Sequence, residues 1–261
     1  MALRDAGWRV VNFACSFGAP DIADRRRGEL LVACARAGFE LILARHPLGD
    51  PLSGFAVGAA RASLEAELAP LFERLDPAVV VCPSPHDRHR GHEVVARAAI
   101  QVMEAEPHVG RRVWMWGLWG DLPFPTVATA FGESRMAEIL ECLAAHAGEL
   151  DRNDYRRLVR GRAEANASLG PERVFGFGTV AVGGDPRWED AGGDGRQSHG
   201  VAGGNTYVEL LSEVGLAGGR WRLGTPRWLA GADPLPELSG RDIDDWLHSE
   251  SLTDRYGPPG E

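Results

Sequence analysis

One short segment of the chain gathers the side chains that most often carry proton-transfer and metal chemistry. The segment Pro83–Ala96 (PSPHDRHRGHEVVA) places three histidines and an aspartate within seven residues. Two of these histidines, His89 and His92, are three residues apart, so in helical backbone both project to one side. Two imidazoles on one face can offer a nitrogen ligand to a metal beside a proton donor. The spacing therefore predicts a site for proton-transfer or metal chemistry.

A plainer interpretation of the same segment stays open. Asp87 could simply cap the helix that follows, because aspartate is a preferred residue at that position. The histidines would then stay solvated at the polar start of the helix. Short histidine-rich stretches are weak evidence of a site without partner residues.

The elements around this segment alternate between strands and helices. Strands are predicted at Trp8–Cys15, Phe39–Ala44, Val79–Cys82 and Val113–Leu118, with helices at Asp24–Ala37, Ala59–Leu75 and His92–Ala105 between them. Such alternation predicts a Rossmann-like α/β fold, with a parallel sheet and helices on both faces. We expect all four strands to be parallel neighbours in one sheet. The strand Val79–Cys82 is almost wholly apolar, which predicts burial on both faces. The histidine segment follows it, where functional groups gather beyond the carboxyl ends of parallel strands.

The second half of the chain predicts a smaller antiparallel extension. Amphipathic or polar helices are predicted at Glu133–Gly148 and Asp151–Asn166, and Gly183–Gly204 is a glycine- and aspartate-rich loop. Two later runs, Thr206–Val214 and Trp221–Leu229, indicate an antiparallel pair joined at Gly218 and Gly219. The tail from Ser239 is polar and is expected to be loosely held. We therefore expect one α/β domain over residues 1–180, and an extension over 181–261 that packs on it or trails it.

Composition excludes several classes of function. The formal net charge is −9, which disfavours a nucleic-acid partner because phosphate contacts need a basic face. The chain contains no lysine and no GxxxxGK[ST] motif, which excludes Schiff-base catalysis and a lysine-dependent phosphate loop. No apolar run is long enough to cross a membrane, and no secretory pattern opens the chain. Four scattered cysteines are typical of reduced thiols, so a cytoplasmic location is expected.

The histidine segment resembles a motif of the PIG-L/LmbE-like zinc-dependent N-acetylglucosaminyl deacetylases. In that family a strand is followed by P-x-x-x-D-x-H-x-D-H, which leads into a helix. The residues in register with it are Pro83, Asp87, His89, Gly91 and His92. Graded similarity extends over roughly the first 179 residues, from the strand WRVVNFACSFG to the block VWMWGLWGDLPFPT.

The resemblance implies a metal-dependent hydrolase that removes an acetyl group from an amino sugar of a small molecule or natural product. His92 would be a ligand of zinc, His89 would stabilise the tetrahedral oxyanion, and Asp87 would support the loop. Independently of the resemblance, strand alternation assigns Trp114 and Trp116 to core and rim packing, whereas Trp119 and Phe124, in the loop after the fourth strand, could line a sugar or aglycone pocket by stacking. The partner would be a small amino-sugar substrate, and a homo-oligomer is compatible with the sequence.

Two departures from the family pattern affect these expectations. Gly91 stands where the family has an aspartate that would orient a histidine. The family's H-P-D-D-E motif, which supplies two further zinc ligands and the general base, has no clear counterpart in the chain. An alternative alignment places Asp21 and Asp24 of SFGAPDIAD as the missing carboxylates, although Asp24 also suits a helix cap. The other hypothesis is therefore a truncated or degenerate homologue that acts as a binding or non-enzymatic domain, with weak or absent zinc binding.

Overall fold

The computed structural model describes residues 1–49, 56–108, 110–177, 205–229 and 235–257. The predicted loop Gly183–Gly204 lies outside the described residues. The helices, in chain order, are α1 Ala2–Asp5, α2 Ala23–Ala37, α3 Val57–Leu75, α4 Arg90–Ala105, α5 Glu133–Leu143, α6 Ala147–Leu150, α7 Tyr155–Phe175, α8 Asp244–His248 and α9 Leu252–Tyr256. The strands are β1 Val11–Ser16, β2 Glu40–Leu48, β3 Val79–Pro83, β4 Arg112–Trp116, β5 Val127–Gly132, β6 Asn205–Ala217, β7 Arg220–Leu223 and β8 Arg227–Trp228. The chain has a mixed α/β fold, as predicted.

The chain divides into two compact units. The first comprises Met1–Ile42, Val127–Leu210 and Pro226–Pro234, and the second comprises Leu43–Thr126, Leu211–Thr225 and Leu235–Glu261. The residues of the histidine segment and of the aromatic loop lie in the second unit, whereas Asp21 and Asp24 lie in the first.

The second unit is built on the strands β3, β4 and β7 and on the part of β6 from Leu211 onwards. Strands β3 and β4 are parallel, with Val79 opposite Arg112 and Pro83 opposite Trp116. Strand β6 runs antiparallel to β4, and β7 runs antiparallel to β6. Helices α3 and α4 pack against each other, and α4 also packs on β3. The parallel pair therefore carries both the histidine segment and the aromatic loop on strands that end at the same edge.

The expectation of four parallel neighbours in one sheet is wrong. Strands β1 and β2 form a two-stranded sheet of their own, whereas β3 and β4 belong to another sheet. The second edge of β4 is occupied by the antiparallel strand β6. Strand–helix alternation predicts which strands are parallel, but a later hairpin can occupy an edge that alternation assigns to an earlier strand.

Strand β3 is also less buried than its apolar sequence predicts. The side chain of Val81 is 51% exposed, while Cys82 is buried. Within the described residues, β3 pairs with one neighbour, β4. Strand β3 is therefore an edge strand among the described residues, and its apolar sequence does not ensure burial on both faces.

The first unit has its own small core. Met136 of α5, Ala163 of α7 and Tyr207 of β6 are buried together. The Tyr207 hydroxyl donates to Glu133 at the start of α5, and Arg160 of α7 contacts both residues. Strands β5 and β8 of this unit pair in parallel.

The two ends of α2 are formed in different ways. Gly38 ends α2 in the left-handed conformation, with φ 70°, as a glycine after a helix should. Asp24 is not the cap of that helix, because Ile22 holds the capping position and no side chain caps it. Asp24 instead pairs with Arg27 one turn later, at 3.0 Å. This i,i+3 ion pair uses the carboxylate that the sequence assigns to capping.

The C-terminal region differs from its prediction in two respects. The run Trp221–Leu229 is not one strand, because Arg227–Trp228 form β8, which pairs with β5 in parallel. The antiparallel pair is confirmed, because β6 and β7 are joined by Gly218 and Gly219, both at positive φ. The polar tail is not loosely held, because Leu247, Ser251 and Thr253 are at most 3% exposed. Its polarity misled the prediction because a polar side chain can be buried where it finds a partner, as the hydroxyl of Ser251 does with Glu93. No helix of the described residues is both long and apolar enough to span a bilayer.

Gly224 offers a test of the packing around β6. A Cβ at this position would lie 2.5 Å from Oε1 and 2.7 Å from Cβ of the buried Glu213. We expect Gly224→Ala to lower the free energy of unfolding by about 1–3 kcal/mol, since overpacking forces neighbouring groups to move. Urea denaturation measures this change. Gly240→Ala is the matched control, because nothing lies within 4 Å of its Cβ, and it should stay within about 0.5 kcal/mol. Equal stability of the two variants would contradict this account of the packing.

Candidate functional site

The site is assembled where β3 and β4 end. Parallel strands place their carboxyl ends at one edge, so the site loop Ser84–His89 and the aromatic loop Gly117–Phe124 leave the sheet together. The backbone N–H of Ser84 donates to the carbonyl of Trp116 at 2.7 Å, which joins the two loops as they begin. This edge is where the sequence places its candidate residues.

Asp87 is the most constrained side chain of the site. Its carboxylate is fully buried. Oδ1 accepts the backbone N–H groups of Leu118, Trp119 and Gly120, at 2.6, 3.1 and 3.2 Å. Oδ2 lies 2.6 Å from Nδ1 of His92. The alternative in which Asp87 caps the helix is wrong, because His89 holds that position and Asp87 reaches the other loop instead.

Two glycines let the aromatic loop approach Asp87 so closely. A Cβ at Gly117 would lie 2.7 Å from the carbonyl oxygen of Gly120 and 3.5 Å from Oδ1 of Asp87. A Cβ at Gly120 would lie 3.0 Å from the carbonyl oxygen of His86. Both approaches involve backbone, which cannot move aside as a flexible side chain can. The G-x-x-G spacing is therefore what allows three consecutive N–H groups to converge on one oxygen.

The contact with Asp87 sets the orientation and the tautomer of His92. A carboxylate only accepts hydrogen bonds, so Nδ1 of His92 carries the proton and Nε2 presents a lone pair. The rings of His92 and Trp116 lie 5.1 Å apart between centroids at a steep angle of 74°, and the side chain of His92 is 25% exposed. An imidazole held in this way can accept a proton from water or bind a metal ion.

His89 lies beside His92 and has the opposite tautomer. It is the N-cap of α4, and its Nδ1 accepts the backbone N–H of His92 at 3.4 Å. That contact leaves the ring proton on Nε2, so the outer nitrogen of His89 is a donor. The two ring centroids are 4.3 Å apart. The structure thus brings together an acceptor nitrogen and a donor nitrogen on neighbouring imidazoles.

An unusual backbone conformation separates Asp87 from His89. Arg88 lies at φ 60°, in the left-handed region that side chains other than glycine seldom adopt. Its backbone N–H donates to Oε1 of the buried Glu93 at 3.0 Å. The turn at Arg88 reverses the chain direction enough for Asp87 to point inwards while His89 starts the helix.

The two residues proposed to bind substrate lie in different surroundings. Trp119 is 48% exposed and its ring stacks on His89, with centroids 6.0 Å apart and an angle of 18° between the planes. Phe124 lines a cavity of about 270 Å³, together with Arg241 and Trp246 of the C-terminal region. The guanidinium of Arg241 lies over the Phe124 ring at 4.7 Å. Trp119 is therefore beside the imidazole pair, and Phe124 belongs to a separate cavity of the second unit.

The described side chains do not fit a complete zinc site. Catalytic zinc sites normally have three protein ligands. Among the described residues, no group of three or more His, Cys, Asp and Glu side chains is arranged to hold a metal ion. His92 has the carboxylate-supported geometry of a metal-bound histidine, but it is one donor. The alignment that recruits Asp21 and Asp24 stays a prediction, and both residues belong to the first unit.

Several residues make contacts in the site that the sequence did not predict. Backbone N–H groups of Leu118–Gly120, more than thirty residues beyond Asp87, complete the carboxylate's contacts. Trp116 is predicted to serve core or rim packing, yet its ring also contacts that of His92. The sequence signal for the N–H groups of Leu118–Gly120 was the G-x-x-G spacing directly after a strand. Glu93 carries no comparable signal, because a glutamate in the first turn of a helix is ordinary.

Comparison with known proteins relates the fold to a group of deacetylases. No protein-family profile matches the chain, and no curated protein sequence matches it. A solved deacetylase–bog complex from the biosynthesis pathway of teicoplanin aligns with a TM-score of 0.54 at 12% identity, over 80% of this chain and 88% of that chain. This similarity supports the α/β fold.

Two further solved structures align at lower scores. The antimicrobial reagent A40926 pseudoaglycone deacetylase aligns at 16% identity with a TM-score of 0.49, over 66% of this chain and 85% of that chain. The zinc inhibited form of teicoplanin deacetylase aligns at 14% identity with a TM-score of 0.49, over 63% and 84%.

Replacing the carboxylate of Asp87 tests how His92 is oriented. In Asp87→Asn the amide oxygen can still accept the three N–H groups, but the NH₂ group then faces Nδ1 of His92. We expect the imidazole proton to move from Nδ1 to Nε2, because two donors cannot face each other. Long-range ¹H–¹⁵N correlation spectra of ¹⁵N-histidine protein in alkaline buffer distinguish the tautomers. Asp121→Asn, at an exposed position in the same loop, should leave the spectrum unchanged. A wild-type His92 protonated on Nε2 would contradict the assignment.

Metal analysis tests whether the chain supplies enough ligands to hold a zinc ion. We expect the purified chain to hold far less than one zinc per molecule after dialysis, since His92 alone cannot supply the usual ligand set. Inductively coupled plasma mass spectrometry measures the ratio. One zinc retained per chain would show that ligands beyond the described cluster complete the site, and the Asp21 and Asp24 alignment would be tested next by replacing both with asparagine.

Proposed function

We propose that this chain is an amide hydrolase of the N-acetyl amino-sugar deacetylase type, centred on Asp87, His92 and His89. The observation that carries the proposal is the pair of complementary imidazoles, 4.3 Å apart at the carboxyl end of a parallel strand pair. The fold it shares with a solved deacetylase and the register of the histidine segment with the family motif support the same class of reaction.

The chemistry of amide hydrolysis suits these two groups. Nε2 of His92 accepts a proton from a water molecule, and the oxygen of that water bonds to the acetamide carbonyl carbon. The N–H at Nε2 of His89 donates to the oxyanion that forms. When the carbon–nitrogen bond breaks, His92 returns the proton to the leaving amine, which leaves acetate and a free amino sugar. Asp87 stabilises the imidazolium of His92 between these two transfers.

Trp119 is proposed to position the sugar. Its ring is almost half exposed and lies beside His89, so one face is available to the apolar side of a pyranose. Stacking at this place would bring a substituent of the sugar towards the imidazole pair. The substrate class is thus an N-acetylated amino sugar carried by a small molecule or natural product. Phe124 is proposed to contact the remainder of such a molecule from its own cavity.

A zinc ion is not used in these steps. The described donors do not fit a complete zinc site, although the lone pair on Nε2 of His92 is suited to bind one. That same donor count favours a second candidate, in which the chain is a catalytically incomplete homologue. It would then bind amino sugars at Trp119 without hydrolysing them.

Acetate release from an N-acetylglucosaminyl glycoside distinguishes the two candidates. For the hydrolase, we expect turnover that His92→Ala abolishes, because the base is lost. His89→Ala should lower the rate by about 10²–10³, the usual effect of removing one oxyanion donor. The assay is run with a chelator and again with added zinc, so that a metal requirement is detected directly.

Controls separate the site from nonspecific effects. His108→Ala is the matched variant, because His108 is an exposed histidine of the same unit, paired only loosely with Asp76 at 3.5 Å. It should retain wild-type activity. Binding of the glycoside by calorimetry without acetate release, under both metal conditions, would overturn the hydrolase proposal and support the binding domain. Neither binding nor turnover would refute both.

A further inference from the structure

The C-terminal segment Ile243–Tyr256 contacts the site loop and the first turn of α4 at several points. From these contacts we infer that the segment is a positioning device for the imidazole pair, with Ser251 as its main positioning residue. The segment holds the left-handed turn at Arg88 in place through the carboxylate of Glu93, and its role is separate from the chemistry assigned to the histidines.

Glu93 connects the segment to the turn. Its carboxylate is 3% exposed, and both oxygens are used. Oε1 accepts the backbone N–H of Arg88 at 3.0 Å, and Oε2 accepts the hydroxyl of Ser251 at 2.9 Å. A buried carboxylate needs such partners, because an unmatched one is strongly destabilising. The hydroxyl of Ser251 therefore holds the carboxylate of Glu93, and that carboxylate in turn holds the backbone N–H of Arg88.

Ser251 is itself held in a defined geometry. It is 1% exposed and is the N-cap of α9, where its hydroxyl oxygen accepts the backbone N–H of Asp254 at 3.0 Å. The Asp254 side chain returns a bond to the backbone N–H of Ser251, which completes a capping box. Asp254 also pairs with Arg97 of α4 at 2.6 Å. The hydroxyl proton of Ser251 is thereby directed at Glu93.

A second contact reaches the other end of the site loop. Nε2 of His86 lies 2.8 Å from the carbonyl oxygen of Trp246, and the two rings are 4.6 Å apart. Burial lowers the pKa of His86, so the neutral ring is favoured, with its Nε2 proton donated to that carbonyl. The residues on either side of Asp87 are thus both tied to the C-terminal segment, His86 directly and Arg88 through Glu93.

The consequence for the site follows from the conformation of Arg88. A residue at φ 60° is strained, and such a conformation persists where its surroundings over-determine it. If the Ser251 contact is lost, Glu93 can turn away, and the turn can relax towards an ordinary conformation. His89 follows Arg88 directly, and its alignment with His92 would then change. Catalytic groups need placement within a fraction of an ångström, so even a small change is detectable.

The test compares Ser251→Ala with Ser249→Ala. The exposed hydroxyl of Ser249 donates to the carbonyl of Trp246, which keeps its contact with His86 when that hydroxyl is lost, so the change should not reach Glu93. The first readout is the set of imidazole ¹H–¹⁵N signals of His89 and His92 in the full chain at fixed pH, which requires no activity. We expect these signals to shift or broaden in Ser251→Ala and to match wild type in Ser249→Ala. Circular dichroism verifies that both variants are folded.

The second readout is kinetic and rests on the proposed function. We expect kcat of Ser251→Ala to fall by about tenfold, within the loss that misplacement of catalytic groups causes, with little change in KM. Glu93→Gln keeps an acceptor for the N–H of Arg88 but places an NH₂ donor opposite the hydroxyl proton of Ser251, so it should lower kcat as Ser251→Ala does. A wild-type chain without turnover would count against the hydrolase and leave the spectroscopic test intact.

Two results would overturn the inference. Unchanged imidazole signals in a folded Ser251→Ala variant would show that the segment does not position the pair. Equal changes in the Ser249→Ala and Ser251→Ala variants would show that any disturbance of the segment has the same effect, and that the Ser251–Glu93 contact has no special part in it.

Discussion

The site of this protein depends on how one buried carboxylate is solvated. A carboxylate removed from water loses several kcal/mol of hydration, which protein groups must replace. Asp87 obtains three backbone N–H groups at one oxygen and an imidazole at the other. Because its donors come from the aromatic loop and from α4, the same carboxylate fixes the loop, the start of the helix and the ring of His92. No one of these three could be displaced without leaving charge or N–H groups unmatched.

The sequence predicted the parts of this arrangement that depend on local pattern. The apolar run ending at Cys82, the helix after His89 and the parallel pairing of β3 with β4 all follow from short-range periodicity, and the structure has them. The partners of Asp87 could not be read in this way, because the N–H groups of Leu118–Gly120 carry no side-chain signature. The sequence also failed where composition suggested solvent exposure. Ser251 is polar but nearly fully buried, since its hydroxyl has two hydrogen-bond partners.

The error in the sheet has a related physical origin. Alternation of strands and helices determines direction, but the edge of a strand is open to any segment with matching hydrogen bonds. The hairpin of β6 and β7 comes a hundred residues after β4 and still occupies its edge. Val81 shows the result at β3, where an apolar side chain in an apolar run is half exposed. The burial of a strand therefore depends on which elements pack around it. The hydrophobicity of its own sequence does not determine that packing.

The chemistry open to His92 follows from its single lone pair. Asp87 places that lone pair on Nε2, and it can take a proton or bind a metal ion, but it cannot do both at once. A histidine that binds a metal therefore requires a separate base, whereas a histidine that acts as base requires a nearby donor for the developing oxyanion. The described residues supply the second requirement, because His89 presents an N–H beside His92, and both oxygens of Asp87 are already used in hydrogen bonds. Because, within the described part of the chain, an N–H donor lies beside the lone pair of His92 and a full set of metal ligands does not, proton transfer is favoured for His92 over metal binding.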